Sequence, residues 1–493
     1  MTISRRSFVA AAAAGAVTAQ PRRPNILYIL MDDLGWPSIG AYGNKLVPTP
    51  NLDRLARDGM KFTQAYVTPQ CTPTRATLLS GQYTARNRMW HVIPPYGLHW
   101  AKMREPRFRD QFPRDAFTLA KGLRSAGYTT ACIGKWHLTN GPDGNYAGLR
   151  QEAARHYGFD VTSKPAPRPD ELRTADKGVD RLTSEAIAFI EENRERPFFC
   201  YLPHHTIHGP VVAPESKVAA YRAKGFPEEG LNNANYLAAI EHFDTAVGRL
   251  LARLDDLRLR DSTAVFFVSD NGGVARSFQP NPAIPPGGAP IRLEEGWRAF
   301  SNEPLRAMKG SAYEGGIRVP MIVRWPGRVR PGSVCDTPVH IVDTMPTLFA
   351  MAGARAPEGY VQDGADIGPL LAGRRMPERA LYWYMPFYDL RWGATPSAVI
   401  REGRYKLIES FGDYVDLDTR EYVPKPRIEL FDLDADRGER IDLAARQPAR
   451  ARAMQAKLRQ WIAASGAEVP GPNPHYDPKR ALEEARGFPP WSE

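Results

Sequence analysis

The chain has 493 residues, 43% of them hydrophobic and 24% charged, a composition that fits one large globular domain plus a smaller one and excludes a disordered or fibrous chain. Its formal charge of +10 would suit a polyanionic partner, but Lys and Arg alternate with Asp and Glu along most of the sequence. The clustered basic stripe of a nucleic-acid binder is therefore missing, and only a general attraction to anionic substrates follows.

Ser4-Arg5-Arg6-Ser7-Phe8, followed by the small apolar run 9–17, reads as a twin-arginine export signal over residues 1–19. Val17-Thr18-Ala19 is an acceptable cleavage site, so a periplasmic or secreted protein would begin near Gln20. The run is too short to span a bilayer, and no integral membrane segment is expected. Over residues 22–375, short β-prone runs at 25–31, 129–133, 198–202, 264–268 and 319–325 alternate with helical patterns. The clearest helix covers 236–254, where Leu237, Ile240, Phe243, Val247, Leu250, Leu251 and Leu254 recur at three- and four-residue steps. This alternation predicts an α/β main domain around a large, mostly parallel sheet.

Residues 276–290 are rich in Pro and Gly, too broken for regular structure, and form a candidate active-site wall. From 376 to 470 the pattern changes to strand-like runs at 397–401, 405–409 and 428–433, followed by a helix through Met454, Leu458, Trp461 and Ile462. A small α+β subdomain with an antiparallel sheet is expected there, and the Pro-rich tail 471–493 is expected to be irregular.

Asp32 and Asp33 directly follow the first apolar run, at a strand's carboxyl end, where open α/β sheets place ligands. Adjacent carboxylates repel and call for a cation. Ser269-Asp270-Asn271-Gly272-Gly273 repeats the arrangement after a second run, although Asp-Asn-Gly-Gly alone is also a common turn. An oxygen-only set from Asp and Asn suits calcium or magnesium rather than zinc. His204, His205 and His208 invite a zinc reading, but neither a carboxylate pair nor cysteine spacing accompanies them. Cys71, Cys132, Cys200 and Cys335 have no paired spacing, which argues against a disulfide framework and a zinc knuckle. Cys132, Cys200 and Cys335 lie in or beside apolar runs and read as small packing residues, while His91 and His99, beside Trp90 and Trp100, read as exposed loop packing.

Cys71-Thr72-Pro73-Thr74-Arg75-Ala76-Thr77-Leu78-Leu79-Ser80-Gly81 sets a lone cysteine at fixed steps from a proline and an arginine, ahead of a helix-compatible stretch. This segment resembles the signature of the type I sulfatases, Cys-x-Pro-x-Arg, with Thr74 where Ser is more usual. The likeness continues through Pro24-Asn25-Ile26-Leu27, the 48–56 segment, Gly134-Lys135-Trp136-His137-Leu138 and Lys309 to Pro320, and so covers most of the chain.

The resemblance implies an alkaline phosphatase-like α/β sandwich with a C-terminal subdomain. It also implies that Cys71 is oxidised to formylglycine by a formylglycine-generating enzyme and that one calcium ion is held by Asp32, Asp33, Asp270, Asn271 and the modified Cys71. One hydroxyl of the aldehyde hydrate would attack sulfur, with Arg75 and Lys135 fixing the modified side chain and Lys135 also contacting substrate. His137 would take the proton that lets sulfate leave. His208, in a His-x-Pro match, would meet the substrate and protonate the leaving oxygen, with His205 the alternative to it as the histidine that meets sulfate, and Lys309 would bind sulfate and assist. Because the twin-arginine route carries folded proteins, maturation of Cys71 would precede export.

Two rival readings share these residues. One is a phosphodiester or phosphonate monoester hydrolase on the same scaffold, and the other is a non-catalytic protein that binds sulfated glycans. The alcohol half of the ester, a sulfated carbohydrate or an aryl group, is set by loops at 86–112, 140–180 and 276–304, which pattern alone does not shape.

Overall fold

The computed structural model describes residues 23–93, 95–139, 152–163, 176–279, 291–292, 294–297, 301–483 and 485–486. The export signal lies outside them, as do residues 280–290 of the Pro/Gly-rich wall and most of 140–175.

A nine-stranded sheet organises the main domain. Its spatial order is Ser333–Cys335, Met60–Tyr66, Arg318–Arg324, Thr263–Ser269, Asn25–Met31, Phe198–Pro203, Thr129–Cys132 and Val161–Thr162, with Val339–His340 also paired to Met60–Tyr66. Each run expected to be a strand is one, and Met60–Tyr66 joins them unannounced, because its sequence MKFTQAY interrupts the apolar run with polar residues. Every neighbouring pair is parallel except those of Arg318–Arg324, which runs against both of its partners. One reversed strand has a functional consequence: the segment that precedes it arrives at the same sheet edge where the parallel strands end.

Burial on both faces explains why the strands read as continuous apolar runs. In Asn25–Met31, Ile26, Tyr28 and Leu30 pack into one core, and Leu27, Ile29 and Met31 into the other. The first face is covered by the Cys71–Ser80 and Thr344–Ala352 helices. The second is covered by the Ala234–Asp256 helix, which starts where the Asn233 side chain accepts from Tyr236 N and buries the predicted stripe from Leu237 to Leu254. Each such large apolar side chain contributes about 1.5–3 kcal/mol on full burial.

A separate four-stranded antiparallel sheet, in the order Leu381–Met385, Ser397–Glu402, Tyr405–Ser410 and Arg427–Asp432, carries the Pro448–Ala464 helix on Met454, Leu458 and Ile462. A buried ion cluster ties it to the loop ahead of the reversed strand: Lys406 Nζ lies 3.0 Å from Glu314 Oε1 and 2.8 Å from Glu439 Oε1. Two irregular expectations are corrected. Arg276–Gln279 forms a strand paired with Glu294–Trp297, so the Pro/Gly-rich segment opens on a hairpin arm, since the breakers begin only at Pro280. The tail also adds short pairings, Gly471–Pro472 to Met103–Arg104 and Ala485–Arg486 to Tyr96–Gly97, because backbone pairing over two residues needs no apolar signature. Among the described residues, no helix is long and apolar enough to cross a membrane.

Candidate active site

The edge where the parallel strands end gathers the candidate residues. Met31 faces Ser269 in the register, so Asp32 and Asp270 leave adjacent strands side by side, and Asp270 N donates to Met31 O at 2.9 Å. Asp33 turns into the left-handed region at φ 63, and its N–H donates to Asp270 Oδ1 at 3.2 Å. Gly272 is required at the next turn, because a Cβ there would stand 1.8 Å from Gly315 O.

Cys71 is the first residue of the wholly buried Cys71–Ser80 helix. Its Sγ lies 3.4 Å from Asp32 Oδ1 and 3.3 Å from Lys309 Nζ. Thr74 closes the loop into that helix: its hydroxyl lies 2.6 Å from Thr68 Oγ1 and accepts from Thr68 N at 3.1 Å, bonds that a serine would make equally well. Arg75 donates to Asp270 Oδ2 at 2.7 Å and to Lys135 O at 3.0 Å, and so links the helix to two strand ends. Lys135 Nζ pairs with Asp32 Oδ2 at 2.5 Å, and Lys309 Nζ, delivered by the segment before the reversed strand, pairs with Asp33 Oδ1 at 2.6 Å.

Asp32, Asp33, Cys71 and Asp270 are all buried, with one ligand atom each lying within 4.8 Å of the others. Asn271 adds an amide whose Nδ2 donates to Asp33 Oδ1 at 2.7 Å and whose buried Oδ1 has no partner. An orphaned acceptor beside three carboxylates is a donor set fitted to a hard, oxygen-seeking divalent ion. The carboxylates of Asp32, Asp33 and Asp270 are matched by the cations Arg75, Lys135 and Lys309, so a divalent ion would leave the pocket net positive and attractive to an anion.

Burial opposes ionisation of Asp32, but Lys135, His208, Arg75 and Lys309 hold its carboxyl well below the usual range. Burial and then the Asp32 charge push Asp270 up to about 6. Burial, Asp270 and Asp32 all push the Cys71 thiol up, which makes it a poor nucleophile as it stands.

The histidines divide by position. His137 Nε2 lies 2.7 Å from Ile93 O, so that nitrogen carries the proton, and the buried Nδ1 lone pair has no partner. Burial and the neighbouring Lys135 and Arg75 keep the ring neutral. His208 lines a cavity of about 530 Å³ together with Asp33 and Lys309. Its Nδ1 lies 2.8 Å from Gly209 O, and burial and then Lys309 push it down to about 4. His205 is buried near Lys135, Asp32 and Arg75 and does not line that cavity. His204 packs edge-on against Phe243, and among the described residues no cluster of potential metal ligands includes any of the three. His91 corrects an expectation: it is buried rather than exposed, with Nε2 2.5 Å from Glu105 Oε2, because Phe108 and Phe387 enclose its ring. Cys132, Cys200 and Cys335 are buried and unbridged, as expected of packing residues.

Several contributors carry no sequence signal. Lys177 Nζ donates to His208 O and, at 2.7 Å, to Pro210 O, and so holds the histidine's loop. Gln70 Nε2 donates to Asp389 Oδ2 at 2.9 Å, linking the residue before Cys71 to the C-terminal sheet's region. Only Gln70 stood beside a recognised motif. Lys177 and Asp389 are single polar residues in turns.

A carboxylate-rich pocket at the carboxyl edge of a mostly parallel sheet, with the Cys71-bearing helix against it, belongs to an alkaline phosphatase-like α/β fold. Residues 24–354 match the Sulfatase family and residues 308–465 match the family described as N-sulphoglucosamine sulphohydrolase, C-terminal; the chain belongs to the sulfatase family. It is 30% identical to a sulfatase of Formosa agariphila over 90% of this chain and 89% of that one. It is 32% identical to arylsulfatase A of Bos taurus over 88% of this chain and 85% of that protein. Among solved structures it is similar to Ps i-CgsB in complex with k-i-k-neocarrahexaose, with a TM-score of 0.68, 25% identity and coverage of 90% of this chain and 93% of that one. The protein is a sulfuric ester hydrolase.

Proposed function

We propose that the chain hydrolyses a sulfate ester to an alcohol and inorganic sulfate through Cys71 converted to formylglycine, beside one calcium ion held by Asp32, Asp33, Asp270, Asn271 and the modified residue. The observation that carries this reading is the position of Cys71 Sγ, within 3.4 Å of both a strand-end carboxylate and the Lys309 ammonium. Bound there, calcium would neutralise a sulfate oxygen and lower the proton affinity of a nucleophilic hydroxyl. The hydrate of formylglycine offers one hydroxyl to displace the alcohol from sulfur and a second whose deprotonation releases the sulfate.

The chain's own residues do the rest. Arg75 and Lys135 orient the modified side chain and stabilise charge that develops at sulfur. Lys309 stays an ammonium, because the neighbouring Asp33 and Asp32 carboxylates outweigh its burial, and it grips a sulfate oxygen. His137, with Nε2 committed to Ile93 O, takes the second hydroxyl's proton at Nδ1. His208 faces the cavity and serves the leaving oxygen; its depressed proton affinity means that the substrate's own negative charge must raise it before it can donate.

Burial of Cys71 at the start of a wholly buried helix supports maturation on the unfolded chain, and hence oxidation before twin-arginine export to the periplasm or beyond. The named sulfatase relatives favour sulfur over phosphorus. Aldehyde-bearing, calcium-loaded protein should cleave 4-nitrophenyl sulfate with a higher kcat/KM than the matching phosphate diester or phosphonate monoester. A strong preference for either phosphorus ester would overturn the assignment.

A further inference from the structure

The cavity above Lys309 has two unlike walls. One runs along the 207–236 segment and is mixed, with Glu228, Glu229 and Asn235 set among apolar side chains such as Val211 and Tyr236; the other is Arg391 and Trp392, contributed by a turn of the C-terminal sheet's region. That turn is the short helix Leu390–Trp392, closed by Gly393 at φ 71 and by paired bonds between Asp389 and Ala394. Its placement is built rather than incidental. Asp389 is buried and accepts from Arg391 Nε at 2.8 Å, from Arg391 Nη2 at 2.7 Å and from Gln70 Nε2 at 2.9 Å, so the turn is bolted to the residue before Cys71. Gly310 completes the fit: it sits at φ +82, and a Cβ there would stand 2.4 Å from Trp392 Cβ and 2.7 Å from its ring. Only glycine lets the indole lie directly beside Lys309, whose Nζ is 5.9 Å from the ring centroid.

We propose that Trp392 is a specificity-determining platform on which the alcohol's pyranose ring stacks, so that the substrate is a sulfated sugar rather than an aryl sulfate. The proposal rests on the sulfate-ester reading above. Trp392 lines the cavity with the Lys309 ammonium 5.9 Å and the Arg391 guanidinium 5.8 Å from its ring centroid, and its negative π-cloud suits the weakly positive C–H face of a sugar. The 207–236 wall adds the Glu228 and Glu229 carboxylates and the Asn235 amide as partners for the hydroxyls on the ring's edge, groups that an aryl alcohol lacks. A cavity of about 530 Å³ admits a ring of that size with a substituent beyond it.

The test uses full-length, calcium-loaded C71S protein, which binds without turnover, and calorimetry with inorganic sulfate, phenyl sulfate and a set of methyl pyranoside monosulfates differing in sulfate position. At least one pyranoside should bind about tenfold tighter than both other ligands, a margin of about 1.4 kcal/mol. W392A should erase that margin and W392F should restore part of it, with thermal melting showing each variant folded. Phenyl sulfate binding tightest, pyranosides binding no better than inorganic sulfate, or a margin that survives W392A would each overturn the platform alone. Failure of inorganic sulfate to bind C71S at all would instead bring down the sulfate-site reading, and this proposal with it.

Discussion

The floor of the active site and its C-terminal wall are built by different means. On the floor, Asp32, Asp270, Lys135 and the histidine segment leave neighbouring strands whose backbones are locked in register, and every charged group is buried. On the wall, Arg391 and Trp392 ride a three-residue helix, half-buried, and are fixed by the bonds of one carboxylate and the absence of one Cβ. Chemistry that tolerates little displacement sits on the sheet, and recognition sits on a turn that can change without disturbing it.

If that division is right, damage to the floor should abolish turnover, and damage to the wall should change which ester is turned over. The largest effect belongs to Cys71→Ala, for which kcat/KM should fall by about 10⁴ to 10⁶, the scale of removing a covalent nucleophile, with every sulfate ester affected alike. A loss confined to some substrates would break the comparison. Steady-state kinetics on an aryl and a sugar sulfate decide it.

Asp270→Asn should come next, because it removes a buried carboxylate that Arg75 and the proposed ion share. Its signature is in the pH dependence of calcium binding. In the calcium-free protein Asp270 is raised from 3.8 to about 6, so below about 6 the ion must displace a proton. The rise in Tm produced by calcium should be full at pH 7.5 and shrink as the pH falls below 6. The calcium-free protein should show the opposite trend: a raised carboxyl favours the folded state when protonated, a contribution present below the unfolded pKa and lost as the pH rises through 6. Asp270→Asn should flatten both trends in a scanning-fluorimetry series, and a calcium-induced Tm rise independent of pH would contradict the assignment.

Asp389→Ala should have the smallest effect on chemistry. It frees the Gln70 and Arg391 bonds and lets the Trp392 turn drift, so KM for a sugar sulfate should rise by about tenfold while kcat changes by less than about threefold. A kcat loss as large as the KM change would show that Asp389 supports the floor through Gln70 rather than the wall.

The floor was legible in the sequence for a physical reason. A buried parallel strand must be an apolar run, its end is marked by the first charged residues, and ligands collect at that edge; hence Asp32, Asp33, Asp270 and Asn271 announce themselves. Cys71, Lys135 and Lys309 came from a motif resemblance, and the structure brings all three into contact with those carboxylates or each other's neighbours. The reversal of Arg318–Arg324 was not legible, because an apolar run carries no direction, yet it is what delivers Lys309. Strand Met60–Tyr66 was missed because Lys61, Thr63 and Gln64 interrupt its apolar run. Trp392 and Asp389 were invisible for a different reason: a lone aromatic and a lone acid in a turn acquire meaning only once Gly310 and Gln70 are found against them.

The most direct test of the whole account is peptide mass spectrometry of Cys71 in protein co-produced with a formylglycine-generating enzyme, measured alongside turnover of a sulfate ester on the same sample. The account predicts that the fraction of chains carrying the aldehyde at position 71 sets the specific activity in proportion. Full activity from chains whose position 71 is an intact thiol would contradict it.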